Sequence, residues 1–518
     1  MVDASPVRQI DLRANQRLGP RSGVQGLSFR RLIASITFLA ILTMALRVSI
    51  DTDTWWHLRA GSWMLEHGEI LRADPFSLTR QGQPWVDPSW MAQVLLFGIY
   101  RVGGLPGLNV FTALMVLAAF ACVWFILEAP VYLRAFILLL AVTVSGVYWA
   151  ARPYILSFAL TGAFLWALEN HRRGRRWAVG LLPPLMALWV NLHGGFAIGF
   201  LLLGAYGAGA LLEMLWPAIR QGRGTGDAWE AHRGVIVSLG IALGAAILAA
   251  GLNPYGFAML AYPFKTISIG ALQNFIQEWQ SPDFHQLHVQ PFLWMLLLIM
   301  VAWAYSRRKV CPAELILVTG FTYLALMAGR NIALFALVGA PSLARHAQGA
   351  LAPHLQLNVR PDSAYPRRSR IINGLLFGLL LLAAAAKISV PLSLEKNMEA
   401  IRQHAPVDAV EALKRESPPG ALFNSYNWGG YLIWEAYPQY LTFVDGRTDL
   451  FDDEILDSYL LTWRAEPGWE QVFQAWDIRV ALIEPKAPLT QALLGAGWAV
   501  LYSDDQAVLL VAGQGRAE

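Results

Sequence analysis

Residues 51–93 read DTDTWWHLRAGSWMLEHGEILRADPFSLTRQGQPWVDPSWMAQ. Acids, histidines and arginines crowd this stretch together with Trp55, Trp56, Trp63, Trp85 and Trp90, while the flanking chain is nearly all hydrocarbon. Charge beside a bilayer is costly unless it is solvated or used. The stretch therefore reads as a loop that leaves a membrane after a first spanning helix at 31–50. Working outward from it fixes the rest.

The chain has 518 residues, 56% of them hydrophobic and 15% charged, with a mean hydropathy of +0.42. A soluble domain of ordinary composition is about a quarter charged. Many apolar runs reach the roughly 20 residues that cross a bilayer. The fold class is thus an α-helical polytopic membrane protein. The formal net charge is +4 and the isoelectric point is near 9.0. The arginines form short blocks between apolar runs, which points to cytoplasmic loops and away from a nucleic-acid partner. Cys122 and Cys311 both lie in or beside apolar runs, so no disulfide framework is expected. The basic tail 1–30 lacks the pattern of a cleaved signal peptide.

Orientation follows from the basic blocks. Arg8, Arg13, Arg17, Arg21, Arg30 and Arg31 hold the N-terminus in the cytoplasm, so Asp51 emerges outside. The later blocks 171–176, 221–233, 306–309 and 345–370 are cytoplasmic as well. Segment 89–102 is too short to span, and a crossing there would reverse every later block. It is expected to lie in the interface, as is a helix over 54–67. The first outer loop then runs 51–107. Further spans fall near 108–127, 133–149, 153–170, 176–191, 195–216, 234–252, 290–306, 311–328, 331–345 and 371–391, for a total of about eleven. Residues 31–391 form the transmembrane domain. From 392 to 518, after a linker helix at 392–405, short apolar runs bounded by Gly, Asp and Pro predict a small α/β domain outside the membrane. The predicted strands are in 420–434, 440–451, 477–485, 497–505 and 506–513, and the last two form a hairpin.

Ionisable residues gather on the outer side. Asp51 and Asp53 form a D-x-D that can share a ligand only in irregular backbone, because residues two apart on a helix point away from each other. Asp53 is either an N-cap for helix 54–67 or a general base for a hydroxyl, and the two roles are compatible. It places Trp56 and His57 on neighbouring turns. The tryptophans read as an interfacial belt, or, for Trp56 and Trp85, as a platform for a sugar ring. Asp87 either caps helix 89–102 or touches substrate. Arg152, His193 and Arg330 stand at the outer ends of spans, where each is a snorkelling or capping group, or together they bind a lipid phosphate. Glu278 is a solvated loop acid, an acceptor-orienting group, or, with Asp51 and Asp53, part of a divalent-metal site. Ser425–Leu432 reads as a tight strand-to-helix turn and Asp445–Asp449 as a turn with salt bridging, both structural. No HExxH, CxxC, Walker or GxSxG pattern occurs.

The acidic motif after the first span, the long first loop and the outward C-terminal domain resemble the GT-C superfamily of membrane glycosyltransferases. More closely, DTWWHLRAG, DPFS, PWVDPSW, ARPYILSF, NLHGGF, FNSYNWGGYLIW and DGRTDLF are similar to a group of bacterial GT-C-like membrane proteins. The resemblance implies transfer of a sugar from a polyprenyl-phosphate donor to a lipid, glycan or protein acceptor, at the outer face of a bacterial cytoplasmic membrane. It implies Asp53 and Asp51 as the catalytic acids. Members of the mannosyltransferase type carry Asp-Glu where this chain has Asp53-Thr54. Other classes that fit the composition are a lipid or polysaccharide transporter, which would bury charge near mid-span, and a non-catalytic scaffold whose outer domain binds partners.

Overall fold

The computed structural model describes residues 27–221, 225–270, 276–354 and 366–513. Most of the basic tail, and parts of the basic blocks at 221–233 and 345–370, lie outside the described residues.

Helices Phe29–Ala45, Trp90–Ile126, Val131–Ser145, Tyr154–Arg172, Leu182–Leu192, Ala197–Gln221, Thr225–Ala250, Gln290–Tyr305, Pro312–Met327, Ile332–Leu351 and Arg367–Leu392 lie over the segments read as spans. Among the described residues five helical stretches, Trp90–Ile126, Val131–Tyr148, Gly194–Trp216, Trp229–Ala250 and Arg368–Leu392, are long and apolar enough to cross a membrane, while Gln290–Tyr305 and Pro312–Met327 are apolar but shorter. Phe120, Phe158, Phe164, Trp189 and Phe335 pack in the bundle interior. Outward, Ile241, Leu248 and Leu382 are exposed by 68, 68 and 70%. An apolar exterior of that kind is stable against lipid, not against water.

The helix expected at 54–67 runs Asp53–His67 and ends at Gly68 with φ 69°. The helix expected at 89–102 begins at Trp90, and Gly104 (φ 58°, ψ −153°) kinks it away from the apolar stretch beyond, just before Pro106. That backbone region is open almost only to glycine. The interfacial segment and the following span are therefore one helical stretch with a glycine break.

The linker helix is Leu394–Arg402. The C-terminal sheet has four strands, β1 (Ala421–Asn424), β2 (Ile478–Ile483), β3 (Ala499–Ser503) and β4 (Val508–Val511), in the order β1-β2-β4-β3. β1 and β2 are parallel, and β3 and β4 form the expected antiparallel hairpin. The strand expected in 440–451 does not join this sheet. Thr442 instead makes a parallel bridge to Ser77 of the first loop, with Leu78 N donating to Thr442 O at 2.8 Å and Thr442 N to Phe76 O at 3.2 Å. The segment has the alternation of extended chain, but its partner is the loop, and Thr448–Trp463 then turns helical.

The first outer loop and the C-terminal residues share cores. Trp56, Met64, Leu71, Phe76 and Trp85 bury with Phe423, Phe443, Phe451, Ile483 and Leu510. Leu58 and Leu96 bury with Val410, Leu422, Trp428 and Leu432. An ion triad bolts the seam: Arg447 reaches Asp74 Oδ1 at 2.5 Å and Asp445 Oδ2 at 2.7 Å, with all three side chains fully buried. The guanidinium also lies over the rings of Phe76 and Trp85, at 5.3 and 5.2 Å.

Candidate active site

Asp53 opens its helix but does not cap it. The carboxylate of Asp51 accepts the Asp53 N–H at 3.0 Å. The capping duty thus falls on Asp51, and the Asp53 carboxylate is left for side chains. Its Oδ1 accepts from Trp56 Nε1 at 3.2 Å, and its Oδ2 faces Arg152 Nη1 at 3.2 Å. Burial and the adjacent Asp51 carboxylate push its pKa up to about 7, against the pull of Arg152.

Arg152 precedes helix Tyr154–Arg172, and its guanidinium gathers the acids. Nε faces Asp51 Oδ2 at 3.5 Å, and Nη2 pairs with Glu278. Glu278 comes from a short turn, Gln277–Trp279, and also meets Arg330 Nη1 at 3.2 Å. Desolvation opposes its charge, but the two guanidinia hold its pKa down near 2. Arg330 lies 4.6 Å from the Trp279 ring centroid and 5.5 Å from that of Tyr154. The side chains of Arg152, Asp51, Arg330, Glu278 and Asp53 are 14, 18, 18, 22 and 26% exposed, so the cluster is sunken yet open to solvent.

His193 stands beside this cluster, with its ring edge-on to Tyr154. Burial, Arg330 and Arg152 depress its pKa to about 3. The imidazole is therefore neutral, so it would meet a phosphate as a hydrogen-bond donor and not as a cation. Gly195 N–H donates to Nδ1 at 3.0 Å, so the ring proton sits on Nε2. Ser157, itself accepting from Trp189 Nε1 at 2.7 Å, lies 2.8 Å from the same Nδ1.

Trp56, His57, Trp85 and Asp87 fall in the seam behind the cluster. Trp56 and Trp85 are 7 and 4% exposed. Trp56 packs on His57 with centroids 3.5 Å apart and the rings tilted by 33°, and Trp85 lies under Arg447 and donates to Asp449 Oδ2 at 3.2 Å. Neither ring offers an open face, which corrects the expected stacking platform. Trp279, half-buried beside Arg330, is a ring of the cluster that retains exposure. Asp87 is fully buried and accepts from Ser89 N at 2.9 Å and Gln93 Nε2 at 3.0 Å. Its Oδ2 lacks a hydrogen-bond partner, and burial raises its pKa to about 7. His57, deep in the same seam, is held uncharged first by burial and then by Arg152.

The C-terminal domain closes over Asp53. A Cβ at Gly446 would collide with Asp53 Oδ1 and come within 3.0 Å of Trp56 Nε1, and one at Gly430 would strike Thr52 O. Both glycines belong to the turns read as structural. Their place against the first loop has no local signal, because it depends on contacts hundreds of residues away.

The acids named as a metal set, Asp51, Asp53 and Glu278, do converge, but on Arg152. A divalent cation among them would press against a fixed guanidinium, and like unit charges 4 Å apart repel by about 4 kcal/mol near a protein surface. Among the described residues no group of three or more His, Cys, Asp or Glu side chains is placed to hold a metal. The donor set does not fit a divalent ion.

A second ionic cluster, not expected from the sequence, lies at the other end of the bundle. Arg345 meets Glu314 at 3.2 Å and Glu169 at 3.6 Å, and His346 meets Glu314 at 3.1 Å. Glu314 is a lone acid in an apolar run and Glu169 borders the basic block 171–176, and neither context gives a hint that they meet.

No family model and no curated protein sequence matches the chain. Solved structures do. The oligosaccharyltransferase of Archaeoglobus fulgidus, tethered to an acceptor peptide containing an NVT sequon, superposes with a TM-score of 0.55 at 13% identity, over 93% of this chain and 74% of that one. The archaeal oligosaccharyltransferase AglB of the same organism, in complex with an inhibitory peptide and a dolichol-phosphate, gives 0.52 at 12% identity, over 88 and 69%. ArnT from Cupriavidus metallidurans, bound to undecaprenyl phosphate, gives 0.40 at 14% identity, over 93 and 98%, a score too low to carry an argument. The chain shares its fold with these archaeal oligosaccharyltransferases.

Proposed function

We propose that this chain is a membrane glycosyltransferase that moves a sugar from a polyprenyl-phosphate donor to an acceptor hydroxyl, with Asp53 as general base. The observation that carries the reading is the Asp53 carboxylate. It is released from capping by Asp51, held by Trp56 and Arg152, partly open to solvent, and poised near pH 7. A base titrating near the working pH is best matched to proton transfer.

In this mechanism Asp53 takes the hydroxyl proton as the acceptor oxygen bonds to the anomeric carbon. The bond from that carbon to the phosphate oxygen breaks, the configuration inverts, and the polyprenyl phosphate leaves. Arg330 meets the leaving charge, and Glu278 holds Arg330 in position. His193 contributes a neutral Nε2–H donor. Trp279 takes over the stacking role once given to Trp56 and Trp85, and Asp87 and His57 support the wall. Arg152 fixes Asp51, Asp53 and Glu278, and no step uses a metal ion. The dolichol-phosphate of the archaeal neighbour supports the donor class. The transferred group is a hexose or a pentose, and the acceptor a lipid, glycan or protein. All of the helices over the expected spans cross the membrane, about eleven in total. The N-terminus is cytoplasmic, and Asp53 and the domain from 392 to 518 lie outside, in a bacterial cytoplasmic membrane.

The transport reading gains one observation, the buried Glu169–Arg345–Glu314–His346 cluster. That cluster sits at helix ends, not at mid-span, where alternating access needs its site.

The test is turnover of purified protein against a panel of polyprenyl-phosphate sugars, with released polyprenyl phosphate measured by mass spectrometry. Asp53→Asn should lower the rate by about 10²–10⁴-fold. An unchanged rate removes Asp53 from the mechanism.

A further inference from the structure

At the end of the bundle opposite Asp53 lies a cavity of about 640 Å³, lined by Arg30, Arg31, Trp124, Glu128, Arg134 and neighbouring atoms. It sits where helix Phe29–Ala45 begins and where the chain turns from Trp90–Ile126 into Val131–Ser145. We infer that this cavity binds the phosphate headgroup of an anionic membrane phospholipid.

Charge is the first argument. The lining acid, Glu128, is already met by Arg173 at 3.2 Å, Arg308 at 3.3 Å and Arg345 at 3.6 Å. It therefore leaves the positive charge of Arg31 and Arg134 uncancelled. Among the described residues neither Arg31 nor Arg134 forms an ion pair. Preorganisation is the second. Arg134 Nε donates to Ala129 O at 2.7 Å, and the guanidinium lies over Trp124 at 5.9 Å. A planar fork held this way needs little ordering to meet phosphate oxygens. The third argument selects a lipid over a free anion. Phe125, Tyr132 and Phe136, on the same two helix ends, are exposed by 67, 42 and 60%. An acyl chain would cover such a surface, whereas water would not. Basic pockets between membrane helices bind anionic headgroups by this combination.

The full-length chain is washed free of lipid in detergent, then given dioleoylphosphatidylglycerol or dioleoylphosphatidylcholine, and retained lipid is counted by native mass spectrometry. Phosphatidylglycerol should be retained about tenfold or more over phosphatidylcholine. The double variant Arg31→Gln/Arg134→Gln should lose that preference. Arg30→Gln/Arg31→Gln, which leaves the Arg134–Ala129 contact intact, should lose most of it. The control Arg464→Gln/Arg479→Gln, on the exposed C-terminal domain, should keep it. Equal retention of both lipids, or equal loss in the control, overturns the site. Displacement of phosphatidylglycerol by millimolar inorganic phosphate overturns the lipid assignment in favour of a free anion.

Discussion

Asp53 is the residue on which chemistry and sequence meet. Its raised pKa fixes a sign: a base must be ionised, so kcat/KM should climb by about tenfold per pH unit below about 7 and level off above it. A pH–rate profile flat between 5 and 8 would contradict the assignment. Asp87 supplies a stability counterpart. Its folded pKa lies above the unfolded one, so the native state loses stability as pH rises from the ordinary carboxylate range toward about 7. Asp87→Asn should remove this dependence, and the thermal midpoint of the variant relative to wild type should be higher at pH 8 than at pH 5. Asp51 and Asp53 could both be named from the chain, as a D-x-D beside tryptophans at the mouth of a span. That Asp51 caps while Asp53 is spared could not, because it depends on a backbone turn of two residues. The meeting of Arg152 with Glu278 lies 126 positions apart in sequence and leaves no local trace.

At the scale of elements, the break at Gly104 makes one helical stretch serve two environments. Gly104→Ala forces a side chain into backbone that favours glycine, and a loss of at least about 1 kcal/mol is expected. Chemical denaturation in detergent would measure it. Parity of the basic blocks and the shortness of 89–102 point to a boundary between that segment and the apolar run beyond it, without any glycine conformation. It misread residues 440–451, where alternation correctly signals extended chain but says nothing of the partner. There the buried triad carries the joint. Arg447→Ala leaves Asp74 and Asp445 buried without their cation, and should cost roughly 3–5 kcal/mol. Gly446→Ala tests the same joint from the side of the chemistry. The added methyl meets the Asp53 carboxylate, so turnover should fall and the apparent pKa should move, while the buried triad persists.

For the molecule as a whole, composition and apolar run lengths sufficed to place the helices, because a bilayer demands a fixed length of hydrocarbon. The joining of the first loop to the C-terminal domain was hidden. Nothing beside Leu71, Phe76 and Trp85 in the sequence names what covers them. They bury against the C-terminal residues. The expected topology is open to a direct check. Single cysteines placed at exposed positions near 82 and near 308 should react with an impermeant reagent from opposite sides of the membrane. Reaction of both from the same side would contradict the eleven-span arrangement.

The bridge between Ser77 and Thr442 also imposes an order in time. During synthesis the early segment crosses the membrane long before its covering partner has left the ribosome. Until then Phe76 and Trp85 lack their permanent neighbours, and Asp53 lacks its roof. On the proposed function, competence would therefore arrive last, with the final strands, and a chain cut short at the linker is expected to carry every helix of the bundle yet show no turnover.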